Sequence, residues 1–177
     1  MGKILEKKAL LKFNRLEVIS AKAKLDNGNL IHFTYSKFPV TVSIVPVDES
    51  NNVYLCKEWR VAWENYIVQI PAGICETKEE ERGPSVRAHK ELEEEIGMKA
   101  KKLEKLATFV VSANSNGLHH LFLATELTET KRHLEDDEII ELIKMPINKA
   151  YQMLLKSELT PGYTLLGLKL AKEKLKI

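Results

Sequence analysis

Apolar positions in the first half of the chain fall in short β-branched runs, and turn-forming residues separate them. Residues 15–24 (RLEVISAKAK) and 29–38 (NLIHFTYSKF) flank Asn27-Gly28. Asn-Gly suits a type I′ turn, so this stretch predicts a β-hairpin. VTVSIVPV (40–47) is nearly continuous and β-branched, DESNN (48–52) reads as a turn, and VYLCKEWR (53–60) predicts the next strand. YIVQIPAG (66–73) predicts one further strand that ends at Pro71 and Gly73. A charged loop, ICETKEEERGP, follows.

From Pro84 the period changes. Proline is tolerated in a first helical turn and Gly97 stands where a helix stops, so a helix is predicted between them. Its apolar pattern is mixed, through Val86, Leu92 and Ile96. LEKLATFVV and HHLFLATEL then read as strands around the loop SANSNG. An acidic loop, HLEDDE, leads to the strand IIELIKM, and two helices close the chain: PINKAYQMLLKSEL and TPGYTLLGLKLAKEKLKI. Strands first, one helix inside the sheet region and helices last predict an α+β protein, with a mixed sheet in an α/β/α sandwich.

Composition narrows the class. With 177 residues, 44% hydrophobic and 29% charged, the chain can bury one ordinary core. Its apolar runs are too short and too often charged to span a bilayer. MGKILEKKALLKF lacks the apolar h-region of a signal peptide, which gives a cytoplasmic expectation. The net charge of +2 argues against a nucleic-acid partner. Lys169, Lys172, Lys174 and Lys176 read as the solvated face of the last helix. Cys56 and Cys75 are too few for a disulfide framework or a zinc ribbon.

Candidate chemistry sits in HKELEEEIG (89–97). On a helix Glu91, Glu94 and Glu95 occupy i, i+3 and i+4 and share a patch, while Glu93 points elsewhere. Three carboxylates converging on one face repel one another. A hard dication with oxygen ligands reverses that balance.

The stretch from PAG to KELEEEIGM resembles the Nudix hydrolase signature, G-x5-E-x7-R-E-U-x-E-E-x-G-U, in which U is a bulky aliphatic residue. Gly73 matches its first glycine and Glu79 follows after five residues. Glu91, Leu92, Glu94, Glu95, Gly97 and Met98 match its end in order and spacing. Two departures are visible: Lys90 replaces the arginine, and three extra residues around Arg82-Gly83-Pro84 separate Glu79 from Lys90. Outside the box, EWR before IPAG, the acidic loop and the final T-x-x-G-L-x-L-A helix look like the ADP-ribose pyrophosphatase branch, over roughly residues 10–172.

The resemblance implies a Nudix α/β/α sandwich over residues 40–177 and an N-terminal antiparallel sheet region over residues 1–39 that forms a homodimer. It implies magnesium, with manganese as a possible substitute. The metal would be held by Glu91, Glu94, Glu95 and the backbone carbonyl of Ala72. Glu94 and Glu95 are the expected catalytic carboxylates. Glu135 or Asp136 is the expected general base, and Glu138 is read as structural. Arg60, Ala72 and Gly73 would contact substrate, and Trp59, Trp63 and Tyr66 lie close enough in sequence to stack a base. The implied reaction is hydrolysis of the pyrophosphate bond in a small-molecule nucleoside diphosphate derivative, foremost ADP-ribose to AMP and ribose 5-phosphate. Other nucleotide sugars, or a non-catalytic nucleotide-binding module, are the alternatives. Members acting on ADP-ribose commonly carry a proline where this chain has Ala113, and His119 and His120 lie near a glutamate position of that branch. Neighbouring histidines on a strand face opposite ways and cannot pair on one metal.

Overall fold

The structure, a computed structural model, describes residues 1–134 and 138–177, with the side chain of Glu79 also outside the description. The chain divides into two compact units: Met1–Val40 with Phe109–His119, and Thr41–Thr108 with His120–Ile177.

The first unit holds a three-stranded antiparallel sheet of β1 (Lys3–Phe13), β2 (Leu16–Lys24) and β3 (Leu30–Lys37), in that order. The expected hairpin is β2–β3, but its turn differs. Lys24 pairs with Leu30, which leaves a five-residue loop rather than a two-residue type I′ turn. Asn27 Oδ1 accepts the Asn29 amide at 3.0 Å, and Gly28 takes a φ of 88° that favours glycine.

The second unit carries the core. β4 (Thr41–Pro46) is buried from Val42 to Pro46, which requires cover on both of its faces. It lies between β7 (Ala72–Ile74) and β9 (Leu118–Glu129), with β8 (Met98–Val110) beyond β9. A separate sheet has the order β10 (Ile140–Pro146), β5 (Asn52–Arg60), β6 (Asn65–Gln69). Both α2 (Pro84–Ile96) and α4 (Gly162–Leu175) pack on β4, and α3 (Ile147–Leu155) packs on α4. Gly167 of α4 permits close approach, since a Cβ there would lie 3.0 Å from side-chain atoms of Ile70 and Val45. The expected α+β class with helices on a sheet is therefore the observed one.

Two elements depart from expectation. YIVQIPAG is not one strand: β6 pairs with β5 and β7 pairs with β4, so the chain changes sheets at Ile70-Pro71. Pro71 has no N–H for a ladder, and its carbonyl instead accepts the Ile44 amide at 2.9 Å. The charged loop also contains a short helix, α1 (Lys78–Arg82). Thr77 Oγ1 accepts the Glu80 amide at 3.1 Å, and Glu80 Oε2 accepts the Thr77 amide at 3.3 Å, a capping box.

Candidate active site

The site is assembled where β7 meets α2. The buried stripe of α2 is Ala88, Glu91, Leu92, Glu95 and Ile96, the i, i+3, i+4, i+7, i+8 series of a core-facing helix. Two of those five positions are glutamate, which explains the mixed periodicity. Val86, counted in that pattern, is exposed instead. Gly97 ends the helix at a φ of 66°, with its amide on the Glu93 carbonyl. Arg132 adds to this end, donating from Nε to the Glu95 carbonyl at 2.5 Å and from Nη2 to the Ile140 carbonyl at 2.9 Å.

Burying Glu91 needs room and a counter-charge. Room comes from Gly73: a Cβ at that position would lie 1.3 Å from Glu91 Oε1, so no side chain is compatible with this carboxylate placement. Charge comes from Arg87, whose Nε donates to Glu91 Oε1 at 2.6 Å and whose Nη1 lies 3.6 Å from Glu94 Oε2. Burial pushes the Glu91 carboxyl up to about 7, against the pull of Arg87 and with added repulsion from Glu94 and Glu138. Glu95 is also buried, and burial with repulsion from Glu91 holds it well above the usual carboxylate range. Its Oε2 accepts the Ala72 amide at 3.1 Å and faces the Cys56 thiol at 3.7 Å. Burial and Glu95 keep that thiol protonated. Glu94 is partly exposed, and Glu93 turns away toward Lys99 at 3.5 Å.

The structure thus brings Glu91, Glu94, Glu95, Ala72 and Gly73 together. No group of three or more His, Cys, Asp or Glu side chains among the described residues is drawn into a ready-made metal shell. Glu91 and Glu94 instead share Arg87. The donor set nevertheless fits a hard divalent cation: clustered carboxylates, two of them buried and repelling, with one seated against a glycine where any side chain would collide.

Sequence reasoning missed Arg87 and Glu80. Lys90 does not fork onto a carboxylate of its own helix; its Nζ donates to Glu80 Oε1 at 2.5 Å, while Glu80 Oε2 takes the Glu76 and Thr77 amides. Glu80, next to Glu79, therefore ties the inserted segment to α2. The signal for it, Thr77-x-x-Glu80, was present in the sequence. Glu135 and Asp136 lie outside the described residues. Glu138 is described, and its charge reaches both Glu91 and Glu95.

Arg60 ends β5 and pairs with Glu58 at 2.7 Å. Trp59 meets Tyr66 edge-on with centroids 5.4 Å apart, and both are about half exposed. Ala113 is an exposed turn residue of the first unit. His119 is buried against Phe109 at 4.9 Å, and His120 Nδ1 lies 2.9 Å from Thr108 Oγ1. Cys56 and Cys75 are both buried and free.

Residues 37–164 match the model of the NUDIX domain. The chain belongs to the NUDIX family. The ADP-ribose pyrophosphatase of Bacillus subtilis is 32% identical over 165 residues, covering 92% of this chain and 88% of that protein. The methanol dehydrogenase activator of Bacillus methanolicus is 28% identical over 175 residues, with 94% of this chain and 93% of that protein covered. The CMP-5'-(N-acetyl-N-hydroxy-3-aminopropyl)phosphonate hydrolase of Streptomyces rubellomurinus is 25% identical over 154 residues, with 86% and 73% covered. Among solved structures, an ADP compounds hydrolase superposes with a TM-score of 0.86 at 21% identity, covering 99% of this chain and 94% of that one. That likeness makes the fold a NUDIX fold.

Proposed function

We propose that this protein hydrolyses the pyrophosphate bond of a nucleoside diphosphate derivative, with ADP-ribose cleaved to AMP and ribose 5-phosphate. The observation that carries this reading is the pair of buried glutamates, Glu91 and Glu95, held against Ala72-Gly73 in a stripe that otherwise packs the core. The similarity to the Bacillus subtilis ADP-ribose pyrophosphatase supports the substrate.

In the reaction a water oxygen attacks one phosphorus, the P–O–P bridge breaks, and the water proton passes to a base. Magnesium, or manganese in its place, supplies charge neutralisation of the diphosphate and acidifies water when bound. Glu91, Glu94, Glu95 and the Ala72 carbonyl would hold it. Gly73 leaves the space that the Glu91 carboxylate fills, and Arg87 pairs with that carboxylate in the metal-free protein. The proton acceptor is assigned to the loop of Glu135 and Asp136, whose described neighbour Glu138 acts on the same carboxylates. Arg60 supplies a planar fork for phosphate or ribose oxygens. The homodimer is assigned to the first unit, where every residue of β1 is exposed, including Leu10, Leu11 and Phe13. We place the protein in the cytoplasm, where two free cysteines are at home.

A second reading is a NUDIX-fold nucleotide-binding module without turnover. Arg87, already neutralising Glu91 and Glu94, favours it. Glu94→Gln and Glu95→Gln separate the two, assayed with magnesium on ADP-ribose and on other nucleotide sugars. Each substitution is expected to cut turnover by at least a hundredfold while the fold persists. Wild-type turnover in both variants, or none in the unaltered protein alongside tight binding, would replace hydrolysis with the binding reading.

A further inference from the structure

Arg87 stands where an arginine gains little from its own helix. It is the fourth residue of α2, near the positive N-terminal end, where a cation is disfavoured. It also precedes Glu91 by four residues, and the better order for such a pair puts the acid first. Its side chain is nevertheless only 11% exposed. Withdrawing a guanidinium from water requires partners that hold it there.

Those partners are the carboxylates of the acidic site. Nε donates to Glu91 Oε1 at 2.6 Å, and Nη1 lies 3.6 Å from Glu94 Oε2. The guanidinium therefore spans the carboxylates of two residues instead of forking onto one. Glu91 Oε1 is also the oxygen seated over Gly73. Lys90 is engaged by Glu80 and Lys99 by Glu93, so among the described residues Arg87 is the cation paired with this cluster. The oxygens it occupies are of the kind a hard dication takes. A guanidinium and a dication repel, so the same oxygens cannot hold both favourably.

We propose that Arg87 is a resident counter-ion: it holds Glu91 and Glu94 in the metal-free protein, competes with a divalent cation for their oxygens, and so sets the cation concentration at which the site fills. This rests on the reading of Glu91, Glu94 and Glu95 as cation ligands. Sign separates this role from packing. A residue that only packed would, when removed, weaken both the fold and cation binding. A counter-ion supports the metal-free fold and opposes the cation, so its removal moves the two in opposite directions.

The probe is manganese(II), followed as the free ion by electron paramagnetic resonance in titrations of the wild type, Arg87→Met and Arg87→Lys. Methionine keeps an apolar stem and removes the charge. Arg87→Met is expected to bind manganese about tenfold more tightly, the scale of one hydrogen bond between charged groups. Lysine keeps a positive charge, so Arg87→Lys is expected to stay within about threefold of wild type. In chelator the denaturant midpoint of Arg87→Met is expected to fall below wild type, and in saturating manganese to recover toward it. Equal or weaker manganese binding by Arg87→Met would overturn the counter-ion, as would Arg87→Lys binding as tightly as Arg87→Met. Should Arg87→Met not fold in chelator, Arg87→Gln keeps a donor without the charge and is read the same way. Glu94→Gln and Glu95→Gln score the underlying reading apart. Loss of manganese from them, with wild-type affinity in Arg87→Met, keeps the cation site and removes the counter-ion. Wild-type manganese binding in both, or none in any of these proteins, removes the cation site and the counter-ion with it.

Discussion

At the scale of single residues, the decisive choice is glutamate at two core positions of α2. A buried carboxylate without a cation is a liability, and Glu91 meets it partly through Arg87 and partly by holding its proton. This makes stability depend on pH. Glu91 titrates near its ordinary value of 4.5 when unfolded and at about 7 when folded. The folded state therefore binds the extra proton between those values, and stability from this group is full below about 4.5 and lost as pH rises to 7. In metal-free buffer, Glu91→Gln is expected to gain up to about 3 kcal/mol relative to wild type across that window. Denaturant midpoints at pH 5 and pH 7.5 would measure it. Comparison with the variant cancels opposing groups, such as Asp48 and Glu80, whose lowered values cost stability only at acid pH. Parallel pH curves for the two proteins would contradict the buried-acid account.

At the scale of elements, most strands and three helices were legible from period and punctuation. VTVSIVPV became β4, IIELIKM became β10, and Pro84 and Gly97 bound α2. The hidden features depend on tertiary partners. The sheet change at Pro71 needs β4 to receive β7, and β1 has no buried side to impose a pattern. The site was half legible: spacing grouped Glu91, Glu94 and Glu95, and the i, i+4 spacing of Arg87 to Glu91 on the same helix was readable too, but only the fold shows Gly73 making space. The short helix α1 was masked by its charge, although its capping box was readable. Because Glu80 caps α1 and also holds Lys90, Glu80→Ala is expected to destabilise the protein by about 1–2 kcal/mol. Thermal melts would register it. A melting temperature within a degree of wild type would mean the inserted segment is not tied down by this contact.

At the scale of the whole molecule, the first unit presents apolar residues on an exposed sheet, while the second contains the buried core and the carboxylates. Such a surface is costly to leave in water. The wild type is expected to sediment at twice the mass of the 20.2 kDa chain, and Leu11→Glu with Phe13→Glu to sediment at the single mass. A wild type at single mass, or a variant still at double mass, would remove the first unit from the assembly. No helix among the described residues is long and apolar enough to cross a membrane.

The central claim is that the buried glutamates of α2 serve pyrophosphate hydrolysis. Its most direct test is chromatographic analysis of products from ADP-ribose, with magnesium and with chelator. The account predicts AMP and ribose 5-phosphate in equal amounts with magnesium and neither with chelator. Intact ADP-ribose after prolonged incubation with magnesium, or equal cleavage in chelator, would contradict it.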